Sequence, residues 1–278
     1  MRRVPESEVE SEFERQYAWG DDERNFYHPL KKKAAVLGCH LRLETVVSLV
    51  KRYVKPSGRA LGRALGRVAD FASAQGNYAL ALAEAGYDVT AVDINEEFLR
   101  YARKKYEHGK FTTVQANIIG YRDGARFDGL ILGEVLEHVA HPGELLKSAF
   151  ENLRPGGFLF ITTPNGAQHG QKLPTFSQVT DFSAFEGRQF HWGNHLFLYT
   201  PNELRGLFDA AGFEVLEMFG VNSDYVSQIK GVRFLLPYFL LRWMERRTRT
   251  WRIRGHESTN TLVAVGRKRQ NSALMSAK

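Results

Sequence analysis

Short apolar runs alternate with segments of helical spacing through the middle of the chain. The apolar runs predict strands at 67–71, 88–92, 111–115, 127–132, 157–162 and 213–219. The intervening segments predict helices at 76–86, 96–107, 143–153 and 201–211. Strands separated by helix-length segments are typical of a parallel sheet with helices on both faces. We therefore expect an α/β fold with a doubly wound, mostly parallel, seven-stranded sheet, whose strand-end loops share one edge.

The segments outside this alternation suggest how the chain is organised. Residues 31–54 have helical spacing, and residues 1–30 are rich in acids and aromatics, which together predict a helical extension or lid. A late apolar run predicts a last strand that pairs antiparallel with the strand at 213–219. The expected division is 1–57 (extension), 58–220 (core, with an insertion at 164–200), 221–257 (second insertion), 258–267 (last strand) and 268–278 (tail).

Composition narrows the class of protein. The chain has 278 residues, a formal net charge of +7 and a single cysteine, Cys39, so an internal disulfide is excluded and a reducing compartment is favoured. The acid-rich N-terminus is unlike a signal peptide, and the chain has no apolar run of about 18 residues, the length needed to span a membrane. We expect a cytoplasmic protein.

The loop after the first strand is built of small residues, and the second strand ends in an acid. The loop runs from Asp70 through Ala72, Ser73 and Ala74 to Gly76, and the acid is Asp93. This order of strand, tight loop, helix, strand and acid is used to hold a nucleoside cofactor at the carboxyl edge of a parallel sheet. Small residues let the backbone approach the ligand, and the acid can accept hydrogen bonds from both ribose hydroxyls.

The same loop disfavours a dinucleotide. The fingerprint G-x-G-x-x-G is absent, because the matching small positions are Ala72, Ala74 and Gly76. Asp70 would repel a phosphate, whereas an acid tolerates the cationic amino-acid end of a different cofactor. The loop resembles motif I of the class I S-adenosylmethionine (SAM) methyltransferases, D/E-x-G-x-G-x-G, with two of the three glycines replaced by alanine.

Two later segments support the same resemblance by their order along the chain: residues 133–139, after the fourth strand, and the turn at 154–157, which enters the fifth. The resemblance covers about residues 66–220. It implies a Rossmann-like methyltransferase fold with SAM as the cofactor. Asn117, after the third strand, carries an amide that can bond the adenine amine. In the family, the residues after the fourth strand line the cofactor and face the acceptor. The predicted cofactor contacts are Asp70, Ala72, Ser73, Ala74, Gly76, Asp93, Ile94, Asn117, Ile118, Gly133 and Glu134.

An E-x-x-E-H cluster follows the fourth strand. On a helical turn Glu134 would lie beside Glu137 and His138, where carboxylates and an imidazole can hold a divalent cation. Together with 163–165 and 194–200, the cluster resembles the quinone-biosynthesis O-methyltransferases and the small-RNA 2′-O-methyltransferases. This resemblance implies a metal held by Glu134, Glu137, His138 and His195. In the alternative interpretation, the histidine is a general base or a packing residue.

Methylation of a hydroxyl requires that its proton be removed, and histidine is suited to this near neutral pH. The candidates are His138, then His195 and His191. We expect SAM-dependent methylation of the hydroxyl of a small molecule, or of a glycan or lipid-linked acceptor. Two alternatives stay open. One is a metal-dependent RNA 2′-O-methyltransferase, favoured by the E-x-x-E-H sequence with a later histidine and by the positive charge. The other is a non-catalytic binding protein, favoured by the replaced glycines.

The segment 230–247 is apolar with basic flanks. The apolar run at 234–241 and Trp243 lie among Lys230, Arg233, Arg242, Arg246 and Arg247. Such a segment can contact an anionic membrane surface. The alternative is a helix that covers the substrate pocket and is buried in the fold. Pro237 argues against one straight helix.

Overall fold

The central sheet has seven strands, with β1 to β5 parallel to one another and β9 antiparallel to both of its neighbours. The structure is a computed structural model that describes residues 1–29, 33–55, 65–124, 127–185, 195–227 and 231–269. The strands are β1 Arg67–Phe71, β2 Asp88–Asp93, β3 Lys110–Gln115, β4 Phe127–Gly133, β5 Leu153–Pro164, β6 Phe213–Ser223, β7 Arg252–Ile253, β8 His256–Glu257 and β9 Thr259–Lys268. The expected mostly parallel, doubly wound sheet is confirmed.

Helices cover both faces of this sheet. They are α1 Gly20–Asn25, α2 Ala34–Tyr53, α3 Asn77–Glu84, α4 Glu96–Lys105, α5 Pro142–Asn152, α6 Pro201–Ala210, α7 Asp224–Ser227, α8 Val232–Leu235 and α9 Tyr238–Thr248. A π-helical turn occupies Glu14–Trp19, and 3-10 turns occupy Glu6–Glu8, Leu136–His138, Phe176–Gln178 and Ser183–Phe185. One large apolar cluster lies on each face of the sheet. The central strands are therefore apolar on both sides, as their sequences indicated.

The strand order is β3-β2-β1-β4-β5-β9-β6, so the direction of winding reverses between β1 and β4. Loops that follow these two strands diverge to opposite faces and leave a crevice at their carboxyl ends, where α/β proteins bind ligands. The small-residue loop follows β1, and the E-x-x-E-H sequence follows β4. The topology thus brings the two strongest sequence signals to one place.

The N-terminal segment is attached to the core by buried charge pairs. Lys105, at the end of α4, is fully buried, and its Nζ lies 2.6 Å from Asp22 Oδ2. The same amine donates to Gln75 O at 3.2 Å and to Asn77 Oδ1 at 2.5 Å. Because Gln75 lies in the small-residue loop and Asn77 directly follows it, this network fixes the extension against the sheet edge that carries the predicted site. Its role as a lid stays a prediction.

The segment after β6 departs from the expected boundaries. β6 continues to Ser223, four residues beyond the predicted end, because its terminal residues pair with β9 as far as Thr259. Two helices, α8 and α9, then lie on either side of the Leu236–Pro237 dipeptide, as Pro237 indicated. Lys230 lies outside the described residues. Among the helices that the structure describes, none is long and apolar enough to cross a membrane.

Candidate functional site

A cavity of about 500 Å³ opens at the crevice between β1 and β4. Its walls come from the loops that follow β1, β2, β3 and β4. Of the predicted cofactor contacts, the residues lining it are Asp70, Ala72, Ser73, Ala74, Asp93, Ile94, Asn117, Ile118, Gly133 and Glu134. Gly76 does not line it and instead caps the start of α3. The structure therefore gathers these residues, scattered over 65 positions of sequence (70 to 134), around one space.

The loop after β1 follows a glycine-like path although two of its residues are alanines. Ala72 and Ala74 have φ of 54° and 44°, in the left-handed region that glycine favours, and Gly76 has φ 74°. A Cβ at Gly76 would lie 2.9 Å from the Cβ of Ala102, so glycine is required there. The replaced glycines have thus not changed the loop's course, but each alanine holds the backbone in a strained conformation.

The Asp93 carboxylate is buried at the end of β2 and ties two loops together. Its Oδ2 accepts a hydrogen bond from the Ala74 backbone N–H at 2.9 Å, and its Oδ1 accepts one from Asn95 N–H at 2.9 Å. Burial raises the pKa of this carboxyl above its usual value. Each carboxylate oxygen has more than one acceptor site, so further hydrogen bonds from hydroxyls in the cavity are compatible with both contacts.

Asp70 lies deeper in the same cavity. Its Oδ2 accepts from the Ala79 backbone N–H in α3 at 3.1 Å. Burial, with a smaller contribution from the charge on Asp93, raises the pKa of Asp70 to about 7. A cationic group bound nearby would favour the ionised form, which is the complementarity expected for the amino-acid end of SAM.

Apolar and amide groups border the far end of the cavity. Ile94 is 67% exposed, and Ile118 packs against the main apolar cluster. Asn117 Oδ1 accepts from the Ile119 backbone N–H at 3.0 Å, which is a contact within its own loop. The two isoleucines can cover a planar base. The hydrogen bond of Asn117 stabilises its own loop, and its contact with adenine stays a prediction.

Several residues that line this cavity carried no motif in the sequence. Asp21, Asn25 and Phe26 reach it from the N-terminal segment, whose acids and aromatics were the signal for a lid. Tyr78 and Arg42 also line it, and no sequence signal marked either one. The ring of Tyr78 packs so closely on Gly133 that a Cβ at this glycine would lie 2.6 Å from it. Gly133 is therefore needed for packing.

A second cavity of about 500 Å³ adjoins the first. Arg42, Glu134 and Cys39 line both. The remaining walls come from α2, the end of β6, α7, α9, the start of β9 and the segments after β5. The second cavity thus lies directly beyond the residues that follow β4.

A carboxylate and two imidazoles meet beside both cavities. Glu137 is fully buried; its Oε2 accepts from Thr163 Oγ1 at 2.9 Å, and its Oε1 has no hydrogen-bond partner among the described residues. This Oε1 lies 3.9 Å from His138 Nε2 and 4.0 Å from His195 Nε2. His138 lines the first cavity and His195 the second.

The local environment shifts the protonation of these groups. Burial raises the pKa of Glu137 well above its usual value, and the nearby charge of Glu134 adds to the rise. Burial lowers the pKa of His195, which keeps its imidazole neutral near neutral pH. A neutral imidazole can accept a proton or ligate a metal.

The expected placement of Glu134 on one helical turn with Glu137 and His138 is wrong. Glu134 has φ 57°, and the 3-10 turn begins only at Leu136. Its Oε2 instead accepts from Arg42 Nη1 at 3.1 Å. Among the described residues, Glu137, His138 and His195 are the one group of three or more His, Cys, Asp or Glu residues whose ligand atoms all lie within 4.8 Å of one another. The third histidine candidate, His191, lies outside the described residues.

Comparisons with known proteins place the chain among methyltransferases. The model of a methyltransferase domain family matches residues 40–218. A relative named ubiquinone biosynthesis O-methyltransferase, from Bordetella avium, is 28% identical over 195 residues, which cover 68% of this chain and 75% of that protein.

Two solved structures share the fold. One is a SAM-dependent methyltransferase from Mesorhizobium loti, with a TM-score of 0.54, 16% identity and coverage of 86% of this chain and 100% of that one. The other is the Burkholderia thailandensis 1,6-didemethyltoxoflavin-N1-methyltransferase with bound S-adenosylhomocysteine, with a TM-score of 0.50, 20% identity and coverage of 82% and 78%. The chain belongs to the methyltransferase domain family and is a class I SAM-dependent methyltransferase with a Rossmann-like fold.

Proposed function

We propose that the protein methylates an acceptor hydroxyl, with SAM in the first cavity and the acceptor in the second. The observation that carries this proposal is the meeting of the two cavities at Arg42 and Glu134, with a histidine lining each side. The name of the Bordetella avium relative, an O-methyltransferase, supports oxygen as the methylated atom. The acceptor is a small molecule, or a hydroxyl of a glycan or lipid-linked molecule.

The first cavity fits SAM residue by residue. Asp93 accepts hydrogen bonds from the ribose hydroxyls, and Asp70 faces the amino-acid end. Ile94 and Ile118 cover the base beside Asn117. When bound, SAM supplies an electrophilic methyl group. The chain contributes by holding this group in line with the acceptor and by excluding water.

We assign the removal of the hydroxyl proton to the histidines. His195 lines the acceptor cavity and is held neutral by burial, so its imidazole can take the hydroxyl proton. His138 lies beside it, with ring centroids 5.0 Å apart. His191 remains a third candidate from the sequence.

The same three residues fit a divalent cation. Glu137 Oε1 is buried without a partner among the described residues and faces both imidazoles, a donor set that suits transition metals. Distances of 3.9 and 4.0 Å to the two Nε2 atoms would need to shorten only slightly around an ion. Glu137, His138 and His195 would hold it, and it would act there as a Lewis acid on the hydroxyl. The two imidazoles would then be ligands instead of proton acceptors, so the metal is an alternative to a histidine base. Glu134, engaged by Arg42, is outside this set.

RNA is the weaker alternative as acceptor. Glu134, Asp224 and Glu245 line the second cavity, and Arg42 is the sole arginine or lysine that lines it within the described ranges. Because Arg42 pairs with Glu134, the described lining offers no unpaired basic side chain to a phosphate backbone, which such side chains normally neutralise. A neutral, hydroxylated acceptor is the better match to this lining.

Binding and transfer should be tested separately. Calorimetry should detect SAM, and absence of heat or thermal shift at millimolar SAM would overturn the assignment of the first cavity. Transfer of labelled methyl from SAM should then be followed to catechol, a methyl glycoside and a short RNA, with and without chelator. Methylation of RNA alone would refute the proposed acceptor class, and full activity in chelator would exclude the metal. A cytoplasmic location stays a prediction.

A further inference from the structure

Helix α9 has an apolar outer face. Phe239 and Trp243 lie four residues apart, on the same side of the helix, and are 73% and 55% exposed. Leu235, at the end of α8, is 85% exposed. Trp251, just beyond α9, is 53% exposed. Large apolar side chains clustered on a surface mark an interaction site more often than single ones do.

Several exposed arginines lie on the same segment of the chain as these apolar side chains. Arg247 continues the four-residue spacing, and its guanidinium lies 5.6 Å from the centre of the Trp243 ring. Arg246, Arg252 and Arg254 are also exposed. Arg242 in α9 and Arg249 directly after it pair with acids, whereas Arg246 and Arg247 have no acid within 4.0 Å in the part of the chain that the structure describes. The surface therefore combines aromatic groups with unneutralised positive charge.

The inner face of α9 belongs to the acceptor cavity. Leu241 is fully buried and packs with Leu37, Leu41 and Val226. These three partners line the second cavity, as does Glu245 of α9 itself. Of the two interpretations of 230–247, a helix buried over the substrate pocket therefore describes the inner face of α9 and not its outer face. The apolar and basic outer face is one helix diameter, about 10 Å, from the wall of the acceptor cavity.

We propose that α8 and α9 form a docking surface for an anionic lipid bilayer. Tryptophan and phenylalanine favour the interface between headgroups and acyl chains, and arginines reach the lipid phosphates while their stems stay in apolar surroundings. A second copy of this chain is disfavoured, because a self-contact would place the exposed arginines against one another.

Docking at this surface gives the acceptor cavity access to molecules carried in the membrane. A hydroxyl on a lipid-borne acceptor could then reach the second cavity without the acceptor's apolar part entering water. This last step rests on the proposed function, whereas the membrane contact itself does not.

The test is cosedimentation of the full chain with phosphatidylcholine vesicles, with and without phosphatidylglycerol. We expect binding that requires phosphatidylglycerol and weakens with added salt. The double substitution Phe239→Ser and Trp243→Ser should lower the partition coefficient about tenfold or more. Arg247→Ala should lower it about fivefold, the usual effect of one basic residue at such a surface.

Matched controls come from the opposite edge of the sheet. Tyr106→Ser removes an exposed aromatic ring directly after α4, and Arg103→Ala removes an exposed arginine from that helix, one that pairs with Glu96. Both should bind vesicles like the unchanged protein. SAM affinity and melting temperature, measured for every variant, show whether the fold and the first cavity are intact.

Three results would overturn the docking surface. The first is no binding to anionic vesicles by a protein that still binds SAM. The second is equal loss in the control variants. The third is a dimer in solution that the Phe239 and Trp243 substitutions convert to a monomer, since the surface would then contact another copy. Failure of SAM binding or of methyl transfer, by contrast, would bear on the proposed function and leave vesicle binding to be judged separately.

Discussion

Arg42 Nη1 donates to Glu134 Oε2 at 3.1 Å, and the two side chains line both cavities. Glu134 comes directly after β4, and Arg42 comes from the middle of α2. Glu134 Oε1 is buried and has no hydrogen-bond partner among the described residues. The pair therefore stands where transfer between the cavities would occur, with one carboxylate oxygen still able to accept.

Glu134 also has a left-handed backbone, with φ 57°. Such a conformation costs a non-glycine residue roughly 1–3 kcal/mol, and strain of this kind often marks a functional position. We predict that the free energy of unfolding is about 1 kcal/mol larger for Glu134→Gly than for Glu134→Ala, so that the glycine variant melts at a higher temperature. Both variants lose the contact with Arg42, so the comparison isolates the backbone.

Methyl transfer should fall in both Glu134 variants, since both remove the carboxylate from the junction. Thermal melts and transfer rates with labelled SAM check the two parts. An alanine variant as stable as the glycine variant would show that the backbone at this position is not strained.

The alanines of the loop after β1 should respond in the same way. Ala72→Gly restores a glycine where φ is 54°, and we predict a gain of up to about 1 kcal/mol in stability with unchanged or tighter SAM binding. The control is Ala79→Gly in α3, which should instead destabilise by about 0.5–1 kcal/mol. Chemical denaturation measures both. Loss of stability in the Ala72 variant would mean that the loop path differs from the one seen.

The sheet was predictable from sequence because periodicity encodes it locally. Apolar runs at Val68 and Val89 and the acid at Asp93 identified the fold and most of the predicted residues that line the first cavity. Arg42 was not predictable, since its helix carries only a generic pattern and its partner Glu134 is distant in sequence. Helical spacing also misplaced Glu134, because the left-handed residue after β4 breaks the assumed turn. Side-chain exposure on α9 depends on tertiary packing, so composition alone left its two interpretations open.

Asp93 provides the sharpest test of the cofactor site. Asp93→Ala removes the acceptor proposed for the ribose hydroxyls, and charge-assisted hydrogen bonds contribute about 1.5–3 kcal/mol each, so SAM affinity should fall at least about tenfold. It also frees the Ala74 and Asn95 amides, so Asp93→Asn, which keeps the shape, is the companion variant. Asp88→Ala, at the other end of β2, is the control. Calorimetry with SAM measures all three, and unchanged affinity in Asp93→Ala would refute the ribose role.

Asp70 should make SAM binding depend on pH. Its pKa is about 7 in the free protein, and a bound cationic amino group would lower it. Binding then releases a proton below pH 7, so affinity should fall as pH drops below about 7 and be constant above it. Asp70→Asn should bind more weakly and lose this dependence. Calorimetry across pH measures the slope, and a wild-type affinity that is flat between pH 5 and 7 contradicts the assignment.

Asp70 should also make folding stability depend on pH, but in the opposite direction to SAM affinity. The carboxyl has a pKa of about 7 in the folded state and its ordinary value of 3.8 in the unfolded chain, so the folded protein binds more protons between these limits. Stability without SAM should therefore decrease as pH rises through this window, and Asp70→Asn should remove that decrease. Thermal melts of both proteins across the window measure it, and matching pH profiles would show that Asp70 titrates normally.

His195 should control turnover without affecting the cofactor. His195→Gln keeps a hydrogen-bonding side chain but neither accepts a proton nor replaces an imidazole ligand well, so we predict a loss of about 100-fold or more in kcat with SAM affinity unchanged. His138→Ala should also lower turnover with near-normal SAM affinity. His108→Gln, on an exposed turn, is the control. Because burial lowers the pKa of His195, kcat at saturating SAM should stay constant down to a pH below 6.5, the ordinary histidine value. SAM affinity, in contrast, should already decline below pH 7, because Asp70 becomes protonated. A kcat that falls together with SAM affinity near pH 7, or a His195 variant with full turnover, would place the proton acceptor elsewhere.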